Sequence, residues 1–309
     1  MACTGDDPVL TSPTDSGTGP TADADDAGAD VVNRACDLAK DFGPPVPLSG
    51  LATTEHAESF ARLSPDERVV YFVRAGYVDA STADFRADIY TASRATTTQP
   101  FEAFRSMTEL GGEGADTAPT VTGDRKDVFF ERSSVTGVRI WMATGKSPPF
   151  PTATELAGPI NEGLITGAPY VTPDGEAIYC TKRPTGGGTS RRIYRAARGT
   201  GGYTDVQPLA DLGTIEVLDD DAPVVTPDEL TLYWSTKRGG ATQDIFVATR
   251  ADKNAPFKGV RRVDSVSTTA REEIPTFVSA DGCRLYYSSS IRATPPEIVS
   301  DILVATKPK

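Results

Sequence analysis

Histidine is almost missing from this chain: His56 is the single one among 309 residues. It lies in a connecting stretch close to Glu55 and Glu58, where a lone imidazole is ordinarily a surface residue. A Ser-His-Asp arrangement needs a nucleophile and an orienting carboxylate placed around its base. No G-x-S-x-G elbow supplies that nucleophile. Neither H-E-x-x-H nor C-x-x-C occurs, so no metal site is expected, and no cofactor. The glycine runs at Gly186-Gly187-Gly188 and at residues 199–202 lack the Lys-Ser/Thr of a phosphate loop and read as turns. No run of ~18 apolar residues exists, so no helix is expected to span a membrane. The first thirty residues hold neither Lys nor Arg but seven Asp, amid Thr, Ala, Gly and Pro. That is the composition of a disordered tether (residues 1–30). It carries seven of the net twelve negative charges. The remainder is only mildly acidic, without the basic footprint that nucleic-acid binding requires.

What is present is a repeat. Residues 222–250 read as three short strands: Pro223 to Val225, Leu230 to Ser235 after the turn Thr226-Pro227-Asp228-Glu229, then Asp244 to Ala248 after a basic, Gly-rich loop. The turn aspartate recurs at Asp66, Asp124, Asp174, Asp228 and Asp281, at intervals of 58, 50, 54 and 53 residues. The third strand recurs in step at Ile89, Ile140, Ile193, Ile245 and Ile302. Fourth-strand segments follow in four units, at 101–110, 150–156, 203–212 and 257–266. Four strands in about 40–50 residues is the period of a β-propeller blade. The last unit lacks its fourth strand, and residues 42–51 look like the missing one. The expectation is a five-bladed β-propeller of four-stranded antiparallel blades over residues 31–309, closed by that N-terminal strand. Six blades is the alternative if 31–51 holds further strand. Residues 31–38 are expected to form a short helix or packed segment.

The pattern acid-x-x-Pro-x-x-Ser/Thr-Pro-Asp-Gly, aliphatic-aromatic-aromatic, Ser/Thr-Lys/Arg, Asp-Ile-aromatic-x-Ala resembles the Pro-Asp type of WD-repeat-like propeller unit, typified by the propeller domain of the periplasmic TolB protein. The resemblance covers residues 42–309 and is best in units three to five. Ala61 replaces the proline in unit one, and Gly123 precedes the turn Asp in unit two. It implies an extracytoplasmic propeller with a binding role to a protein or an envelope polymer. It does not imply one activity, because the scaffold is shared.

Four cysteines remain to be placed. Cys3, ahead of a flexible polar segment, resembles the lipidated first residue of bacterial lipoproteins. No basic or apolar leader stands before it, so this reading takes the start as trimmed. An incidental cysteine is the alternative. The reading implies a periplasmic or outer-membrane lipoprotein, touching the membrane only through its lipid, and monomeric. Cys36 lies just upstream of the closing strand, and Cys283 in the first turn of the last unit. The two fall at the same end of one blade, and a bond between them would lock the ring. In the chain-entropy model such a loop is worth roughly 4–5 kcal/mol, often less. Two unrelated thiols are the alternative. Cys180, on a second strand, reads as a small buried hydrophobe.

Charge at matched positions is the strongest candidate site. Three residues before the first-strand proline, or Ala61, stand Glu58, Asp116, Thr166, Asp220 and Glu272, with Asp221 and Glu273 doubling two of them. Bases follow the second strand: Arg74, Arg132, Lys182-Arg183, Lys237-Arg238 and, displaced, Arg292. First strands are innermost, so acids and bases share one mouth of the channel. Mutual pairing that sets ring geometry is the favoured reading; exposed pairs contribute only ~0–1 kcal/mol each. A polar binding mouth is the sharper one. The stretch 74–87, with Tyr77 and Phe85, and the loop around Pro295-Pro296 are expected as a long, irregular rim on the same face. The functional expectation is a non-enzymatic binding or scaffold propeller. A glycan-acting hydrolase is the alternative, needing two carboxyls about 5–9.5 Å apart. Basic neighbours are expected to lower the mouth carboxyls, which disfavours a general acid. A structural spacer is the third.

Overall fold

Five copies of one turn organise the structure. In the fourth copy the Thr226 hydroxyl donates to Asp228 Oδ1 (2.5 Å) and accepts the Thr231 N–H (3.0 Å), while Asp228 Oδ1 accepts the Leu230 N–H (2.9 Å). The same hydroxyl–carboxylate bond joins Ser64 to Asp66, Thr122 to Asp124, Thr172 to Asp174 and Ser279 to Asp281, at 2.5–2.8 Å. A short polar side chain that bonds its own backbone two residues on is what favours Asp in turns. The next residue is left-handed in every copy: Glu67, Arg125, Gly175, Glu229 and Gly282 have φ between 56° and 76°.

The computed structural model describes residues 35–53, 56–79, 84–145, 148–183, 190–209, 212, 219–291 and 299–309, with backbone alone at 77–79 and 84–86. Ala35–Lys309 forms one compact unit. The first blade contains β2 (Ala57–Leu63), β3 (Val69–Asp79), β4 (Asp84–Ser93) and β5 (Glu102–Ser106). The second contains β6 (Ala115–Val121), β7 (Asp127–Ser134), β8 (Gly137–Thr144) and the short β9 (Thr154–Glu155). The third contains β10 (Thr166–Val171), β11 (Ala177–Lys182), β12 (Arg192–Gly199) and β13 (Gly202–Pro208). The fourth contains β14 (Asp221–Val225), β15 (Thr231–Thr236), β16 (Asp244–Thr249) and β17 (Lys258–Arg262). The fifth contains β18 (Glu272–Val278), β19 (Arg284–Ile291), β20 (Val299–Thr306) and β1 (Val46–Pro47). All pairings within blades are antiparallel, and the protein is a five-bladed β-propeller. The stretch 31–38 shows no helix among its described residues.

Closure uses the N-terminal strand. Val46 pairs with Val304 and Pro47 with Leu303, and the Leu48 N–H donates to Ile302 O (2.8 Å). Cys36 and Cys283 form a disulfide across 247 residues of sequence. Around it, the Asp37 N–H donates to Pro308 O and the Gly43 N–H to Thr306 O, both at 2.9 Å. Lys307 Nζ lies 4.5 Å from the Phe42 ring centroid and donates to Leu38 O and Lys40 O.

The core sits in the seams between blades. Buried aromatics of the second strands, Phe72, Phe129, Tyr179, Trp234 and Tyr286 among them, pack with residues of neighbouring blades in separate clusters. Burying two faces of every sheet is what a lone blade cannot do. Two turn glutamates stitch seams as well. Glu67 accepts Arg284 Nε (2.8 Å) and the Tyr286 hydroxyl of the fifth blade. Glu229 accepts Arg195 Nε (2.8 Å) and the Tyr179 hydroxyl (2.6 Å) of the third.

Every innermost strand carries a bulge. Phe60, Ala118, Ala168 and Ala222 adopt φ of 45–51° there. The unusual residue Gly123 also has a reason. Its N–H donates to Pro173 O (2.7 Å), and a Cβ would come within 2.9 Å of that oxygen.

Candidate functional site

The mouth lies where second strands end and first strands begin. Strand register puts Glu58 opposite Arg74, Asp116 opposite Arg132, Thr166 opposite Lys182 and Glu273 opposite Ser289. The fifth member of the ring is therefore Glu273, not Glu272. Counting back from Pro275 misplaces it, because Pro275 stands six residues before its turn aspartate, whereas Pro119, Pro169 and Pro223 stand five before theirs.

At each ring position but the third, the carboxylate or an arginine paired with it holds the segment that crosses from the preceding blade; at the third a lysine does so. Glu58 accepts the Thr53 hydroxyl (2.8 Å) and N–H (3.3 Å), with Arg74 Nε at 3.3 Å. Glu273 repeats this at the same spacing, accepting the Thr268 hydroxyl (2.8 Å) and N–H (3.2 Å). In blades two and four an arginine mediates. Arg132 grips Asp116 through Nε (2.6 Å) and Nη2 (2.7 Å) and donates to Gly111 O. Arg238 donates to Asp220 (2.8 Å) and to Leu212 O, and Trp234 Nε1 donates to Asp220 (3.1 Å). In blade three Lys182 Nζ donates to Pro159 O (3.0 Å) and Ile160 O (2.8 Å).

Asp221 points elsewhere. It accepts Arg191 Nη1 (2.5 Å) and the Thr181 hydroxyl (2.8 Å) of the third blade. Asp219 also accepts Arg191 Nε, at 3.2 Å. Arg183 and Lys237 are half-buried at this end. Arg292 and the Pro295-Pro296 loop lie outside the described residues. The described parts of the stretch 74–87 are strand rather than loop. Its hairpin continues to Asp79 and Asp84, with Tyr77 and Phe85 in register. Alternation simply carries two antiparallel strands beyond the sheet. The side chains of Tyr77 and Phe85, and Cys3, lie outside the described residues.

The expected lowering does not hold at Asp116 or Glu273. Burial pushes Asp116 up, Arg132 opposes it, and nearby Asp88 adds to the rise. Burial likewise raises Glu273, against the two Thr268 hydrogen bonds. Desolvation outweighs the basic neighbour at these positions. A third raised carboxyl was not anticipated. Glu131, in the position after the second-strand aromatics, accepts the Ala168 N–H of the next blade (2.8 Å). Burial raises it, and Asp221 raises it further. The corresponding residues are Val73, Thr181, Ser235 and Ser288, so one acid among them was the available signal.

Residues of all five first strands, including Pro119, Pro169, Pro223 and Pro275, line a cavity of about 10 Å³. Among the described residues, no group of three or more His, Cys, Asp or Glu is arranged to hold a metal ion. No helix among them is long and apolar enough to cross a membrane.

No protein-family model matches the chain, and no curated protein matches it. Solved structures do. The chain is similar to TolB from Acinetobacter baumannii, with 18% identity, a TM-score of 0.49, and 82% of this chain and 55% of that one covered. It thus spans about half the length of that protein. It is similar to the putative TolB of Agrobacterium tumefaciens, with 12% identity, a TM-score of 0.51 and coverages of 81% and 83%. It is also similar to Zg3597, a family 117 glycoside hydrolase of the marine bacterium Zobellia galactanivorans, with 12% identity, a TM-score of 0.57 and coverages of 86% and 90%. At such identities the likeness is one of fold.

Proposed function

We propose that the protein is a non-enzymatic binding propeller of the bacterial envelope, tethered through a lipid on Cys3, which recognises a protein or envelope polymer on its mouth face. One observation carries this reading. The ring carboxylates are engaged within the chain, each holding a crossing segment in place. A glycosidase needs two carboxyls facing a substrate pocket. The fold is compatible with a binding role, being that of TolB-type propellers. The Cys36–Cys283 disulfide suits an oxidising compartment. The mouth face also exposes apolar side chains. Val135 in the β7–β8 turn is fully exposed, Leu164 is 63% exposed, and Ile291 opposite Val299 are 43% and 42% exposed. Exposed apolar residues rimmed by charge fit a protein partner.

Capture from a bacterial envelope extract tests it. Wild type, the double substitution Val135→Asp/Leu164→Asp and a variant with the 76–86 hairpin shortened serve as baits. Recovery of a specific partner by wild type, reduced at least tenfold by one of the changes, is expected. Equal recovery by all three baits would contradict the mouth-face reading.

The hydrolase reading has one specific observation in its favour: burial raises Asp116, Glu131 and Glu273 from their ordinary values. Glycoside hydrolases share the fold. A general acid requires such a shift, but it also requires a free carboxyl.

A further inference from the structure

One cation does not belong to the pairing described above. Arg62 lies on β2, four residues before its turn Asp, where the other first strands place Thr120, Tyr170, Val224 and Phe277. It is 7% exposed, and its Nε and Nη1 are buried with no hydrogen-bond partner. No carboxylate among the described residues bonds to it. The Tyr170 ring covers one face of the guanidinium at 3.9 Å, and the Tyr170 hydroxyl donates to Val225 O (2.6 Å). Beside it in the fifth blade, Thr276 is 4% exposed, and its hydroxyl is equally without a partner.

Both side chains line the axial cavity of about 10 Å³. Pro119, Pro169, Pro223 and Pro275 supply much of its wall, and proline has no N–H to offer. An isolated charge in such a place is costly unless something neutralises it. Burial draws Arg62 down to about 10, so it stays protonated at neutral pH.

We propose that the axial cavity binds a small monovalent anion of chloride type, held by the Arg62 guanidinium and the Thr276 hydroxyl. The accessible volume, about that of one water, favours a small ion. Water alone would satisfy the donors but leave the charge uncompensated. The anion would join the first blade to the fifth, across the seam between them. The proposal is independent of what binds at the mouth.

Thermal unfolding of the full chain in sodium chloride against sodium gluconate, at equal ionic strength, tests it. Wild type should show a saturable rise in Tm, about 5 °C at a hundredfold excess over the dissociation constant. Bromide should substitute for chloride. Arg62→Met should lose the anion dependence, and Thr276→Val should shift its midpoint to higher chloride by at least threefold. Equal Tm values in the two salts, or a chloride response kept in Arg62→Met, would overturn the proposal. If Arg62→Met does not fold, bromide-soaked wild-type crystals decide. An anomalous peak beside Arg62 and Thr276 supports the site; water alone there overturns it.

Discussion

The phenolic hydroxyl of Tyr179, in the third blade, donates a 2.6 Å hydrogen bond to Glu229, the left-handed turn residue of the fourth. Glu229 is 1% exposed and also meets Arg195 at 2.8 Å, Lys253 at 3.1 Å and Arg250 at 3.4 Å. One carboxylate thus joins two blades and satisfies three cations. Removing it leaves buried donors without an acceptor. Glu229→Ala should lower stability by about 2–4 kcal/mol. Urea midpoints measure this; a change within ~0.5 kcal/mol would show that the seam does not depend on the network. Burial works upward on Glu229, but Arg195 and the Tyr179 hydroxyl overcome it and hold the carboxyl down to about 2. Its stabilisation is therefore complete above the ordinary value near 4.5 and is lost as pH falls from there through about 2. The gap between wild type and Glu229→Ala should narrow over that window.

Ring closure gives a second prediction. β1 contributes only two residues to the fifth blade, so the disulfide bears much of the closing. Cys36→Ser, or reduction of the wild type, should cost about 2–5 kcal/mol. Denaturant unfolding with and without reductant checks it. Wild type whose midpoint is unchanged by complete reduction would contradict it.

The clamp on Asp116 gives a third. Arg132→Met removes a bidentate partner that is itself 5% exposed and leaves Asp116 uncompensated. The loss should be about 3–5 kcal/mol at neutral pH. Burial already raises Asp116, and without Arg132 the carboxyl rises further. A group raised in the fold is penalised when charged, so the deficit should shrink as pH falls and Asp116 protonates. Urea midpoints at pH 4 and pH 7 read this directly; a deficit equal at both would refute it.

How far the sequence carries follows from the same residues. The turn aspartates and third-strand isoleucines are periodic, and periodicity points to five blades, their strand order and the closing strand, with six blades left open until the five sheets are seen. Motif spacing also put acids and bases on one face, where Glu58 faces Arg74 and Asp116 faces Arg132. It erred where register shifts by one residue, as at Pro275, which made Glu272 look equivalent to Glu58. It erred too in treating basic neighbours as the dominant influence on Asp116, because burial is not visible in spacing. Arg62 and Glu131 go unremarked in the sequence because each departs from its repeat at one position, and Glu229 reads there only as a turn residue. A comparison of copies seeks what recurs, whereas a site is usually built from what does not. Arg62 in a column of Thr, Tyr, Val and Phe was the signal available.

The central claim is that the mouth binds without catalysing. It is tested by a glycan-hydrolysis screen of wild type, Asp116→Asn and Glu131→Gln over a broad panel of oligosaccharides, each protein first shown to be folded. The account predicts background turnover for all three. Wild-type turnover above background that is abolished by either substitution would contradict it and make the protein a glycoside hydrolase.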